Sequence, residues 1–143
     1  MTKQEFEILR NLPNKTIESD IIWQEEKGMG PNLIFKGIEV INSIGILILV
    51  NGTYKPRLPS VTFNFVVNPI GPICRIDVNG SPHKDAGRTH KHELQKPDDS
   101  QPQNNLPYAI ARLDLNDKTP YQVWRILCKQ ANIIHKGKFV EPR

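Results

Sequence analysis

Ser60-Val61-Thr62-Phe63-Asn64-Phe65-Val66-Val67-Asn68 and, a few residues on, Ile73-Cys74-Arg75-Ile76-Asp77-Val78 decide how this chain reads. In the first stretch Val61, Phe63, Phe65 and Val67 point one way and Thr62 and Asn64 the other. Successive side chains of an extended strand alternate between two faces, so one face is apolar and one polar. In the second stretch Cys74, Ile76 and Val78 share a face, and Arg75 and Asp77 share the opposite one. The apolar set belongs in a core, which leaves Arg75 and Asp77 toward solvent or a cleft. Short connections between such runs predict antiparallel pairing.

The neighbouring segments extend this sheet. Asn32–Asn42 carries Leu33, Ile34, Phe35, Ile38, Val40 and Ile41 and predicts a strand. Gly45–Val50 is almost wholly apolar and predicts a central strand covered on both faces. Asn51-Gly52 predicts a hairpin turn, because both residues tolerate positive φ. Pro56 and Pro59 then limit the next pairing to an edge or a brief contact. Thr16–Glu25 predicts a further strand, and Gly28-Met29-Gly30-Pro31 a turn. Tyr108–Leu115 alternates again, with Ala109, Ala111, Leu113 and Leu115 on one face and Ile110, Arg112 and Asp114 on the other. The polar stretch Lys96–Pro107 is a long loop.

Helices flank the strands. Thr2 and Glu5 form a capping box ahead of Phe6, Ile8, Leu9 and Leu12, and Pro13-Asn14 ends the pattern, which predicts a helix over 2–12. Thr119 as N-cap, Pro120 at the first helical position and Gln122 as the capping-box partner start a second helix over 119–133. Trp124, Leu127, Cys128 and Ala131 recur there at helical spacing and should pack on the sheet. The basic tail over 134–143 is expected to fray in part. The expectation is an α+β fold: one domain over 1–143, an antiparallel sheet drawn from 16–115, and the N-terminal and C-terminal helices packed on it.

Composition bounds the function. With 38% hydrophobic and 24% charged residues the 143-residue chain belongs with globular domains rather than disordered ones. The net charge of +4 suits a nucleic-acid or acidic-protein partner, although no dense Lys/Arg block is present. Cys74 and Cys128 fall inside a strand and a helix pattern, form no C-x-x-C unit and read as small buried hydrophobes, as in a reducing compartment. Met1-Thr2-Lys3-Gln4-Glu5 is unlike a secretory signal, and the longest apolar run, Ile44–Val50, is too short to span a bilayer. A cytoplasmic protein without a membrane partner is expected.

Candidate chemistry gathers after the second quoted stretch. Three of the four histidines, His83, His90 and His92, lie within ten residues. On a strand, His90-Lys91-His92 puts both imidazoles on one face about 7 Å apart at Cα, close enough to converge on one ion. Zinc, iron, nickel and copper accept neutral imidazole, and Asp77, Asp85 or Glu93 could complete the set; Asp77 with His90 and His92 is the candidate site for a divalent metal. The alternative is a pair of hydrogen-bonded or solvated histidines. His83 follows Gly80-Ser81-Pro82 at a rigid strand exit, where it either serves as general acid or base or caps the turn. Arg75-Ile76-Asp77 is echoed by Arg112-Leu113-Asp114. If the two strands were neighbours in register, Arg75 would face Asp114 and Asp77 would face Arg112 in a charge ladder. The functional alternative makes Arg75 and Arg112 anion binders. A G-x-S-x-G elbow, a P-loop, an H-E-x-x-H helix and a G-x-G-x-x-G turn are all missing, which removes the corresponding serine, nucleotide and dinucleotide chemistries.

The segment Arg75-Ile76-Asp77-Val78-Asn79-Gly80-Ser81-Pro82-His83 with His90-Lys91-His92 resembles a family of small uncharacterised bacterial and phage domains carrying R-x-D-x-x-G-x-P-H before an H-x-H strand. The likeness covers the second half of the chain, and Arg75, Asp77, Gly80, His83, His90 and His92 match it by position. The family's Asn-Pro-Asp-Gly-type loop is replaced here by Lys84-Asp85-Ala86-Gly87, and Glu93-Leu94 stands where an aromatic usually follows H-x-H. The resemblance implies a phage or mobile-element setting and a defence, counter-defence or toxin-system role. Two functions are therefore expected. One is an RNA-cleaving hydrolase, in which Arg75 and Arg112 hold phosphate and Asp77, His83, His90 and His92 supply acid–base or metal chemistry. The other is a non-enzymatic interaction protein, an inhibitor or antitoxin-like partner, that contacts a protein target through Lys96–Pro107 and the basic tail.

Overall fold

The protein is described here by a computed structural model covering residues 3–28, 30–67, 71–80, 87–93 and 108–142. Helix α1 (Lys3–Asn11) leads into the short strands β1 (Lys15–Ile17) and β2 (Gln24–Glu25). The long strands β3 (Leu33–Val40), β4 (Ile48–Lys55), β5 (Ser60–Val67) and β6 (Gly71–Val78) follow, then β7 (His90–Glu93) and β8 (Tyr108–Ala111). A 3-10 turn (Leu113–Leu115), helix α2 (Pro120–Gln130) and β9 (Ile133–His135) complete the order. Strands β2 to β8 form one seven-stranded sheet in chain order, each pair antiparallel, so the α+β architecture is the one expected.

The alternation of β5 and β6 puts Val61, Phe63, Phe65, Cys74, Ile76 and Val78 in the core. Helix α2 covers this face, with Trp124 packed 5.1 Å from Phe63 and stacked 6.1 Å from Phe65, ring centre to ring centre. Its start is the capping box read from the sequence: the Gln122 amide donates to Thr119 Oγ1, and the Thr119 amide donates to Gln122 Oε1. Phe6 and Leu9 of α1 join the same cluster. Burying side chains of this size contributes about 1.5–3 kcal/mol each, so the apolar face holds the polar face in place. No helix among the described residues is long and apolar enough to cross a membrane.

Several expectations are corrected. Asn51-Gly52 is not a turn; both residues lie inside β4, paired with Asn64 and Phe63. Gly52 is there for packing, since a Cβ would fall 2.2 Å from Phe35 Cε1, while Asn51 Oδ1 accepts from the Gly37 amide at the β3 bulge. The turns fall instead at Asn42–Leu47, bracketed by the Asn42 side chain on Ile46, and at Pro56–Pro59. Gly45–Val50 is thus strand only from Ile48. The segment 16–25 splits into β1 and β2, which belong to different sheets. Tyr108–Leu115 leaves the strand after Ala111 and tightens into the 3-10 turn.

The C-terminal tail is structured. Strand β9 runs parallel to β1, pairing Lys15 with Ile133 and Ile17 with His135. The chain then continues along Ile21, whose amide donates to Lys138 O and whose carbonyl accepts from the Val140 amide. Gly137 allows this approach, because a Cβ there would fall 2.2 Å from Ser19 O. Beside the seam Lys15 is buried, and its Nζ donates to the carbonyls of Leu9, Arg10 and Leu12, closing the C-terminal end of α1. Helix α1 spans 3–11 of the expected 2–12; Thr2, its expected cap, lies outside the described residues, as do His83 and the loop Lys96–Pro107.

Candidate metal centre

The polar face of the sheet builds the site through register. Thr62 pairs with Asp77, Asp77 with His90 and His90 with Ala111. In the adjacent row Asn64 pairs with Arg75, Arg75 with His92 and His92 with Ala109. Alternation puts all of these on one face, and the antiparallel β6–β7 pairing sets both imidazoles over the Asp77 carboxylate. The strand exit is fixed by Asn79, at φ +55°, whose side-chain amide donates to the carbonyls of Leu58 and Pro59. The Gly80 amide donates to Arg88 O, which closes the β6–β7 connection across its base.

Three donor atoms converge. Asp77 Oδ2 lies 2.9 Å from His92 Nε2 and 3.1 Å from His90 Nε2, and the two Nε2 atoms are 3.1 Å apart. All three residues are buried, His90 completely. His90 Nδ1 lies 3.0 Å from Gly87 O. A carbonyl only accepts, so Nδ1 carries the proton and a neutral His90 turns the Nε2 lone pair toward Asp77 and His92. A proton on His92 Nε2 bridges to one neighbour and leaves the other lone pairs facing each other. A cation at the centre satisfies all three at once. Metal bonds of about 2.0–2.2 Å place adjacent ligand atoms about 2.9–3.6 Å apart, which is the spacing found here.

Two neighbours tune the carboxylate. Thr62 Oγ1 donates to Asp77 Oδ1 at 2.6 Å. Arg75 Nη2 donates to the same oxygen at 3.4 Å. Arg75 Nε comes within 3.2 Å of Oδ2 without meeting hydrogen-bond geometry and has no acceptor among the described residues, so that approach is electrostatic. Burial pushes the Asp77 carboxyl up, but the His92 hydrogen bond, the Thr62 hydroxyl and the Arg75 charge together outweigh it and hold the group well below the usual carboxylate range. The carboxylate is therefore ionised and available as a ligand.

Of the expected site residues, Arg75, Asp77, His90 and His92 come together. Arg112 does not. Strand β7 lies between β6 and β8, so Asp77 faces His90 rather than Arg112 and the proposed ladder does not form. Arg112 sits past the end of β8, where Nε and Nη2 donate to the two Asp114 carboxylate oxygens and Nη1 to Gln130 Oε1. Thr62 joins the site beyond the expected residues, and the alternation of its strand already signals its place on the polar face. No protein-family model, curated protein sequence or solved structure matches the chain.

Proposed function

We propose that the chain is a metal-assisted hydrolase acting on the phosphodiester bonds of RNA, its ion held by His90 Nε2, His92 Nε2 and Asp77 Oδ2. The observation that carries this reading is the convergence of those three atoms within 3.1 Å. Two imidazoles and one carboxylate on one side of an ion leave positions for water and substrate, as in open catalytic sites. Such an ion supplies Lewis acidity and an activated water. The chain's own residues supply the rest. The Gly87 carbonyl fixes the His90 tautomer and the Thr62 hydroxyl fixes the carboxylate, the usual work of groups one shell out from a metal. Arg75 is one-third exposed and leads from the buried donors to solvent, which suits a guanidinium that meets a phosphate oxygen. The net charge of +4 favours a polyanionic substrate. The free cysteines Cys74 and Cys128 accord with the reducing conditions of a cytoplasm, and a phage or mobile-element origin is consistent with a nuclease.

The near-complete burial of the three donors favours a second reading, a structural ion in a non-enzymatic interaction protein. One experiment separates the two. Protein purified without chelator is analysed for metal and incubated with labelled single-stranded RNA and divalent ions, beside His92→Ala. The hydrolase predicts about one bound ion per chain and cleavage, both lost in the variant. Bound metal without cleavage, together with a fall in melting temperature on chelation, establishes the structural ion. Neither metal nor cleavage overturns both.

A further inference from the structure

The opposite side of the sheet carries a second polar site, independent of the metal reading. Helix α2 and the segment after β9 enclose a cleft of ≈ 750 Å³, within the range of small-molecule sites. Arg125 and Lys129, four residues apart on one face of α2, line one wall, and Lys138 lines the other. All three are exposed, and none has a carboxylate partner among the described residues. Among the described residues no acidic side chain lines the cleft. Two acids sit at its margin, held by backbone amides of lining residues: Asp20 accepts from the Lys138 amide and Glu141 from the Tyr121 amide, while Glu18 pairs with Lys136. Three cationic side chains without a salt-bridge partner around one cavity suit an anion.

The cleft also has a flat apolar side. Trp124 and Phe139 stack 5.7 Å apart, and Tyr121, 41% exposed, packs 5.5 Å from Phe139. The Arg125 guanidinium lies 5.8 Å from the Tyr121 ring centre. His135 adds no charge. Its Nδ1 accepts from Trp124 Nε1 and its Nε2 donates to Ser19 O, so the ring is neutral and serves to hold the floor.

We propose that this cleft binds a phosphate ester carried on a flat ring, the chemistry of a nucleotide, with Arg125, Lys129 and Lys138 on the phosphate and the ring against Tyr121. Guanidinium and ammonium groups together match phosphate oxygens, and aromatic faces accept any base. The ligand is either a free nucleotide or one unit of a single strand.

Calorimetric titration of the full chain with ADP, pyrophosphate and a short oligouridylate tests this, in the presence of EDTA to keep the metal centre out of the measurement. ADP is expected to bind one per chain, and the double charge reversal Arg125→Glu/Lys129→Glu to weaken it by roughly tenfold or more, as loss of charge-assisted bonds does. The conservative pair Arg125→Lys/Lys129→Arg should retain most of the binding. Binding of the oligouridylate but not ADP assigns the ester to a polynucleotide and supports the site. Pyrophosphate binding as tightly as ADP removes the ring from the proposal. Failure of all three probes, or equal affinity in the charge-reversed variant, overturns it.

Discussion

Arg75-Ile76-Asp77 and Arg112-Leu113-Asp114 have the same form, and the fold puts them in opposite circumstances. The first lies inside β6, where alternation sets the arginine and the aspartate on one face and the neighbouring strand lays two histidines over them. The second lies at the 3-10 turn, where the arginine grips the aspartate with two hydrogen bonds of 2.9 and 2.8 Å. By bond geometry the second pair is better. By exposure the order reverses: the Asp77 side chain is 6% exposed and that of Asp114 57%. An ion pair in water adds little however well it is aligned, while a carboxylate withdrawn from water governs every group around it. The difference teaches that the tripeptide has no fixed meaning; burial and the strand beside it assign its role.

The sharpest way to break this contrast is Asp77→Ala. Removing the carboxylate leaves the Arg75 guanidinium without its counter-charge and takes away the group that both imidazoles face. The expected loss is about 3–5 kcal/mol of unfolding free energy, with loss of bound metal, read by urea denaturation and metal analysis. A loss below about 1 kcal/mol, the level of an exposed pair, would make Asp77 no different from Asp114.

Lys15 asks whether a buried charge matters where no metal is involved. Lys15→Met strands three carbonyls at the end of α1, and the expected cost is about 2–4 kcal/mol from unsatisfied buried acceptors. The pH dependence provides a second readout. Burial pushes the Lys15 ammonium down to about 8 from its ordinary 10.5. Between those values the unfolded chain keeps the proton and the folded chain releases it, so stability rises with pH through that window. The rise should be absent from Lys15→Met when denaturation midpoints are compared at pH 8 and pH 10.

Asp114→Ala is the smallest change. The Arg112 hydrogen bonds hold the Asp114 carboxyl below its ordinary value, against a slight desolvation. Its contribution is therefore present above about pH 4, the unfolded carboxylate's range, and fades as pH falls through the lowered folded value. Because the pair is exposed, the whole effect is expected to stay below about 1 kcal/mol in denaturant midpoints. A larger loss would show that geometry, not burial, ranks the two pairs.

Local chemistry made part of this legible. The alternation of β5 and β6 and the Thr119–Gln122 capping box are short-range signals, and each corresponds to an element of the fold. Asn51-Gly52 carries an equally strong local signal for a turn, but packing overrides it: the Phe35 ring needs the space that a glycine leaves. The site divides in the same way. Alternation assigns Arg75, Asp77, His90 and His92 to faces, which a strand does by itself. Register decides who meets whom, and register depends on β7 coming between β6 and β8, which no local pattern records. Arg112 therefore lies outside the ladder that its pattern predicts, and Thr62 enters a contact that alternation alone does not name.

The seam between β1 and β9 has a kinetic consequence. Neighbouring strands of the sheet are also neighbours in time and can zip as the polypeptide emerges from a ribosome. Lys15 and Ile133 cannot, since 117 residues separate them. Loop closure over that span is slow relative to hairpin formation, so this clasp forms only after β9 has been made. Until then the first helix and the strand after it wait for a partner that the ribosome delivers last of all the strands.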